Sequence, residues 1–201
     1  MNRATSTLTL VLLTVVGVGA TCFVQRSSAP QIAAEQRLLD SRKLLDVLPT
    51  EIYDNQPLEK PLTLSQPALG HSALIGAYRA SKNGQAVAVL LRSQTQGYAG
   101  VIELLIAIDA NGKLLGVKTL QHSETPALGG LIGDWPNSWL QAFSGKSNTD
   151  PTEDGWALKK DHGQFDQIAG ATITSRAALN AIHDALRYFD EHRAALLGSG
   201  A

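Results

Sequence analysis

The chain has 201 residues, a formal net charge of −1, 5% aromatic residues and one cysteine. Near-neutral charge and sparse aromatics exclude a basic or base-stacking nucleic-acid surface. The lone Cys22 excludes an internal disulfide and an iron–sulfur cluster held by this chain alone, so a redox role needs an organic cofactor or another metal. Residues 5–24 are uncharged and mostly apolar, with Arg3 before them and Arg26 after. A spanning helix needs about 20 such residues, which predicts a membrane anchor over 1–28. The alternative is a cleaved secretory signal ending in the small residues of GVGA at Ala20; lipid attachment at Cys22 is a weaker reading. All of these put the rest of the chain outside the inner face of the membrane.

Residues 29–47 favour a helix, with Leu38, Leu39, Leu44 and Leu45 spaced for one face and Pro49 beyond its end. Residues 57–70 contain Pro57, Pro61 and Pro67 and read as an irregular connection. The period then changes to that of strands, over 73–80, 85–92, 101–109 and 113–120. Lys82-Asn83-Gly84 and Asn111-Gly112 mark turns between them. This is a meander rather than a βαβ repeat. A short helix is expected over 131–143, with Pro136 interrupting or starting part of it and Trp135, Trp139 and Phe143 at i, i+4 and i+8 as a core-facing stripe. Residues 145–155 read as a loop. A last helix over 175–197 places Ala178, Leu179, Ile182, Ala185, Leu186 and Phe189 on one face. The expected fold is α+β: an anchor over 1–28, a helical and Pro-rich connection over 29–70, and a domain over 71–201 with a twisted antiparallel sheet packed by helices.

The stretch with chemical character is FDQIAGATITSR, residues 165–176. Gly170 and Ala171 leave the backbone open to close approach. Thr172, Thr174 and Ser175 put three hydroxyls near a helix amino terminus, where free N–H groups and the helix dipole favour a phosphate. The competing explanation is ordinary capping by Thr174 or Ser175. The five histidines, His71, His122, His162, His183 and His192, show no metal-ligand spacing. Neither a nucleophile elbow nor a Gly-rich phosphate loop after a strand is present, so no catalytic residue and no metal ligand is assigned.

The segment 166–172, DQIAGAT, resembles the flavinylation motif of the FMN-binding domain family: aspartate, two free positions, serine or threonine, then Gly-Ala-Thr. The departure is Ala169, where a hydroxyl residue is usual. HSETPALGG over 122–130 resembles the family's Glu-Thr-Pro-Gly-Leu-Gly loop, with Ala127 in place of glycine. Gly97-Tyr98-Ala99-Gly100 before Val101-Ile102, and WALKK over 156–160 followed by Asp161, also agree. Within the family the similarity is greatest to RnfG (RsxG) subunits of Rnf electron transport complexes, and less to NqrC subunits of the sodium-pumping NADH:quinone reductase.

This resemblance implies FMN attached to Thr172 through a phosphoester, put there from FAD by a Mg²⁺-dependent flavin transferase. It implies flavin contacts from Glu124, Thr125, Leu128, Gly129, Lys160, Gly170, Ala171 and Thr174, with Asp166 serving transferase recognition. It implies an electron-carrying subunit of an ion-translocating complex in the bacterial inner membrane. The globular domain would be periplasmic, with the other Rnf-type subunits as partners. Such a chain would relay electrons without being a stand-alone catalyst, and its one span contains no ionisable residue for an ion path. The alternatives are a flavin-free assembly module and an independent extracytoplasmic reductase.

Overall fold

The computed structural model describes residues 44–198 and the isolated positions Thr14, Gly17 and Val18. Apart from those three positions, the expected span over 5–24 falls outside the described residues, as does most of the helix expected over 29–47. Among those described, no helix is long and apolar enough to cross a membrane.

Four antiparallel strands form one twisted sheet: β1 (Ser72–Lys82), β2 (Gln85–Gln96), β3 (Val101–Asp109) and β4 (Leu114–Gln121). They lie in chain order, so the predicted meander is present, and β3 has the predicted bounds. The pairing of β2 with β3 is unbroken from Ala88↔Asp109 to Gln96↔Val101. Both faces of these two strands are buried. Val89, Leu91, Leu104, Ile106 and Ile108 enter one apolar cluster, while Ala88, Leu90, Leu105 and Ala107 enter another. Burial on both faces explains why β2 and β3 are near-continuous apolar runs instead of alternating ones.

Two helices follow the sheet: a single turn, α1 (Ser138–Gln141), and a long helix, α2 (Thr172–Leu197). The predicted stripe of α2, from Ala178 to Phe189, packs on the first face of the sheet. The second face is covered by residues 44–58, through Leu45, Val47 and Leu48 with Ile52, Tyr53 and Leu58. The next stretch lines the outer edge of β1. Leu62 N–H donates to Ala77 O at 2.7 Å, Leu74 N–H donates to Pro67 O at 2.7 Å, and Asp54 N–H donates to Ser81 O at 2.9 Å. Asn55 adds a side-chain pair: its Nδ2 donates to Arg79 O and its Oδ1 accepts from Ser81 N–H.

The helix expected over 131–143 does not form. A 3-10 turn at Gly129–Gly133 is followed by irregular chain and the one-turn α1. Pro136 cannot donate to a helical ladder and keeps Trp135 out of the helical region. The aromatic spacing therefore reports something other than a helix face. Phe143 is fully buried and stacks on Phe165 at 4.6 Å, Trp139 meets Phe143 edge-on at 5.1 Å, and Trp135 stays exposed under the Lys118 ammonium. Trp156 extends the cluster by stacking on His183 at 4.8 Å.

The far end of α2 is held by Arg79 of β1. Its Nε donates to Leu196 O at 2.6 Å and its Nη2 to Ala195 O at 3.0 Å, while Gly198 turns left-handed to end the helix. A guanidinium there satisfies carbonyls that lack helical partners and complements the dipole. Arg79→Met should therefore lower unfolding free energy by about 1–2 kcal/mol in chemical denaturation, with far-UV circular dichroism unchanged.

His183 gives a pH prediction. Burial lowers its pKa below the usual histidine value, opposed in part by Glu153 and reinforced by Arg187. Its Nε2 has no hydrogen-bond partner. Glu153 Oε2 lies 3.6 Å from that nitrogen, and burial outweighs it, so the folded imidazole takes up a proton at lower pH than the unfolded chain does. Stability should be fully present above about pH 6.5 and fall as pH drops below it. Thermal unfolding between pH 7.5 and 5 checks this, and His183→Phe should flatten that part of the profile.

Candidate functional site

The antiparallel order brings the β2–β3 loop and the exit of β4 to one end of the sheet, and α2 begins there. Three separate segments meet at this end: residues 97–100, residues 122–130 and the turn 166–171 leading into α2. They enclose a cavity of about 360 Å³ lined by Tyr98, Glu124, Thr125, Leu128, Gly129 and the run Gly170–Thr174.

Glu124 ties the three segments together. It is 5% exposed. Its Oε1 accepts from the Ala99 N–H at 3.0 Å, and its Oε2 accepts from the Thr174 hydroxyl at 2.5 Å. Burying a carboxylate is costly unless donors replace water, and charge-assisted bonds are among the strongest available. Gly129 is required beside this pair: a Cβ there would stand 2.6 Å from Thr174 Oγ1 and 2.7 Å from Glu124 Oε2. Thr125 closes a tight turn, its carbonyl accepting from Leu128 N–H at 3.2 Å and from Gly130 N–H at 2.9 Å. That turn lifts Leu128 over the cavity mouth.

The helix start differs from the expected one. α2 begins at Thr172, three residues before the predicted position, and its N-cap is Ala171, with no side-chain cap. Thr174 and Ser175 are therefore inside the first turn and cap nothing. The Ser175 hydroxyl, fully buried, instead accepts from Ile168 N–H and donates to Ala171 O, both at 2.9 Å. It clasps the turn that carries Gly170, whose φ of +73° suits glycine. Among the described residues, the N–H groups of Thr172, Ile173 and Thr174 meet no acceptor, which leaves a helix amino terminus open to an anion.

The Thr172 side chain is half-buried at the cavity mouth, and its hydroxyl donates to Gln167 Oε1 at 3.1 Å. Around it stand three exposed large side chains: Tyr98 at 70%, Ile173 at 50% and Leu128 at 45% exposure. Clustered apolar exposure marks an interaction site, and the open N–H donors beside it favour an anion.

Of the residues singled out in the sequence, Glu124, Thr125, Leu128, Gly129, Gly170, Ala171, Thr172 and Thr174 all line this cavity. Lys160 does not; it is exposed on the 3-10 turn Lys159–Asp161. Asp166 also lies outside the lining. Its carboxylate pairs with Lys159 Nζ at 2.7 Å, and its carbonyl accepts from Trp139 Nε1 at 2.6 Å. Tyr98 and Ile173 line the cavity without having been singled out. Their signal was available: Tyr98 sits in the quoted 97–100 segment, and Ile173 falls on the solvent side of α2 once the helix starts at Thr172.

The model of the FMN-binding domain matches residues 97–187, a span containing all three cavity segments. The G subunit of the ion-translocating oxidoreductase complex of Pseudomonas aeruginosa is 47% identical over 192 residues, covering 94% of this chain and 90% of its own. The corresponding Photorhabdus laumondii protein is 39% identical, covering 96% and 94%. The chain belongs to the G-subunit family of ion-translocating oxidoreductase complexes. The crystal structure of Shewanella oneidensis NqrC aligns at 21% identity and a TM-score of 0.48 over 76% of this chain and 75% of that one.

One position in the cavity rim is strained. Ala127 has φ +61°, a left-handed conformation that costs a residue bearing Cβ about 1–2 kcal/mol. Ala127→Gly should raise stability by about 0.5–1 kcal/mol after the added freedom of the unfolded glycine is subtracted. Calorimetry should show a midpoint about 1–4 °C higher.

Proposed function

We propose that this chain is the electron-carrying flavoprotein subunit of a membrane-bound, ion-translocating redox complex of the Rnf type, with FMN esterified to Thr172. The observation that carries this reading is the uncapped start of α2, with the Thr172 hydroxyl at the mouth of a cavity rimmed by exposed apolar side chains. The residues present fit FMN. The volume falls within the range of about 300–1,000 Å³ typical of small-molecule sites. The free N–H groups of 172–174 suit a phosphate, and Leu128, Ile173 and Tyr98 suit the ring. Bound FMN would supply the one- and two-electron chemistry that no side chain here can perform.

The chain's own residues bind and orient. Thr172 supplies the ester oxygen, and the open turn of α2 neutralises the phosphate charge. Gly170 brings no Cβ near it, and Ala171 brings no more than a methyl. Glu124 and Thr174 hold each other and fix the cavity wall, and Leu128 and Ile173 exclude water from the ring faces. Thr125 lies at the polar edge. Lys160 and Asp166 lie outside the lining, where a second protein could reach them. Asp166 suits recognition by an FAD-dependent flavin transferase, and Lys160 would assist it or meet the phosphate from outside. An ester prevents loss of the cofactor and makes its local concentration independent of supply. The apolar stretch over 5–24 would hold the domain at the inner membrane, facing the periplasm, beside the other subunits.

Intact mass of the full chain, co-expressed with a flavin transferase, tests the reading. Wild type should gain one FMN less one water, and Thr172→Ala should gain nothing. A wild-type chain without the adduct would leave a flavin-free assembly module as the better account.

A further inference from the structure

Three hydroxyls stand within four residues at the start of α2, and the hydrogen bonds around them differ. Thr174 is 1% exposed and its proton is committed to the buried Glu124 carboxylate. Ser175 is fully buried, with its oxygen accepting from Ile168 N–H and its proton given to Ala171 O. Thr172 alone of the three reaches the cavity mouth with its oxygen free of any donor, its proton turned toward Gln167 Oε1.

Gln167 is exposed, yet its backbone is pinned on both sides. Before it, Asp166 O accepts from Trp139 Nε1 and the Asp166 carboxylate pairs with Lys159. After it, Ile168 N–H donates to Ser175 Oγ. A backbone already fixed on both sides leaves only the side-chain torsions of Gln167 to be ordered when it holds its partner, and spares the backbone share of that cost.

Building on the FMN reading of this site, we propose that Gln167 is a positioning residue for the attachment step and that the hydrogen-bond pattern selects Thr172 as acceptor. In this step the Thr172 Oγ–phosphorus bond forms on the FMN phosphate of FAD. The phosphorus–oxygen bond of the pyrophosphate breaks, AMP leaves, and the hydroxyl proton passes to a base of the transferase. By accepting that proton's hydrogen bond, Gln167 turns the Oγ lone pairs away from itself and toward the open cavity. The amide is too weak a base to keep the proton. Once the ester forms there is no hydroxyl to donate, so the contact belongs to the unmodified domain and is lost in the product.

The test is transferase kinetics on the full chain with FAD and Mg²⁺, reading adduct by intact mass and its site by peptide mapping. Gln167→Met keeps the length of the side chain and removes the acceptor. It should lower kcat for flavinylation about threefold to tenfold, the worth of one hydrogen bond. KM and the thermal midpoint of the unmodified domain should be unchanged. Thr172→Ser should take the adduct, and Thr172→Ala should not transfer it to Thr174 or Ser175. A wild-type kcat for Gln167→Met would overturn the proposal, as would a rise in KM alone, which would mark Gln167 as a surface read by the transferase. Adduct on Thr174 or Ser175 in the Thr172→Ala chain would overturn the selection argument. Failure of the wild type to take FMN would instead sink the FMN reading and this proposal with it.

Discussion

The architecture of the cavity depends on one buried carboxylate. Glu124 draws a main-chain N–H from the β2–β3 loop and a hydroxyl from α2 onto its two oxygens. Its own loop leaves β4, so three segments remote in sequence converge on one functional group. Removal of either donor would leave one oxygen of a buried carboxyl group unsatisfied, a larger penalty than the loss of an ordinary contact. The tightness of the arrangement leaves no room for a side chain at residue 129, and the Thr125 turn then sets where Leu128 stands. The wall of the site is thus preorganised by the same bonds that close this end of the fold.

The rest of the domain serves to deliver those segments. A four-stranded meander puts alternate connections at opposite ends. Residues 97–100 and 122–130 consequently share an end without any long crossover. The helix α2 lies along the first face with its amino terminus at that end and its last carbonyls on Arg79 near the other. Apolar packing on both faces fixes the sheet, since β2 and β3 send alternate residues into two separate clusters. The position of Thr172 follows from helix packing many residues away, at Ile182, Leu186 and Phe189.

Much of this was legible in the sequence, for identifiable reasons. Turn pairs such as Asn111-Gly112 and the short apolar runs between them located the strands, because tight turns and strand-length runs are local properties. The cavity-lining residues came from resemblance to a known motif and its loop, and no periodicity could have assembled them. Two local signals misled. Hydroxyls before an apolar stripe read as caps, whereas Ser175 bonds backward to the turn from inside the helix. Aromatics at i, i+4 and i+8 read as a helix face, whereas Trp139, Phe143, Trp156 and Phe165 form a cluster assembled from separate loops. The apolar residues of 44–58 gave no hint that they cover the second face, because that role exists only once the sheet is formed.

The irregular chain along β1 has a consequence for how this domain keeps company with other proteins. An outermost strand normally offers a row of unpaired amides and carbonyls on which a foreign strand can grow, the route to run-away association. Here Asp54, Asn55, Leu62 and Pro67 already occupy those groups, and Pro67 has no N–H with which to pass the ladder onward. The domain is thereby closed to strand exchange along this border. Neighbours that approach it there must recognise side-chain shape and charge rather than bare backbone.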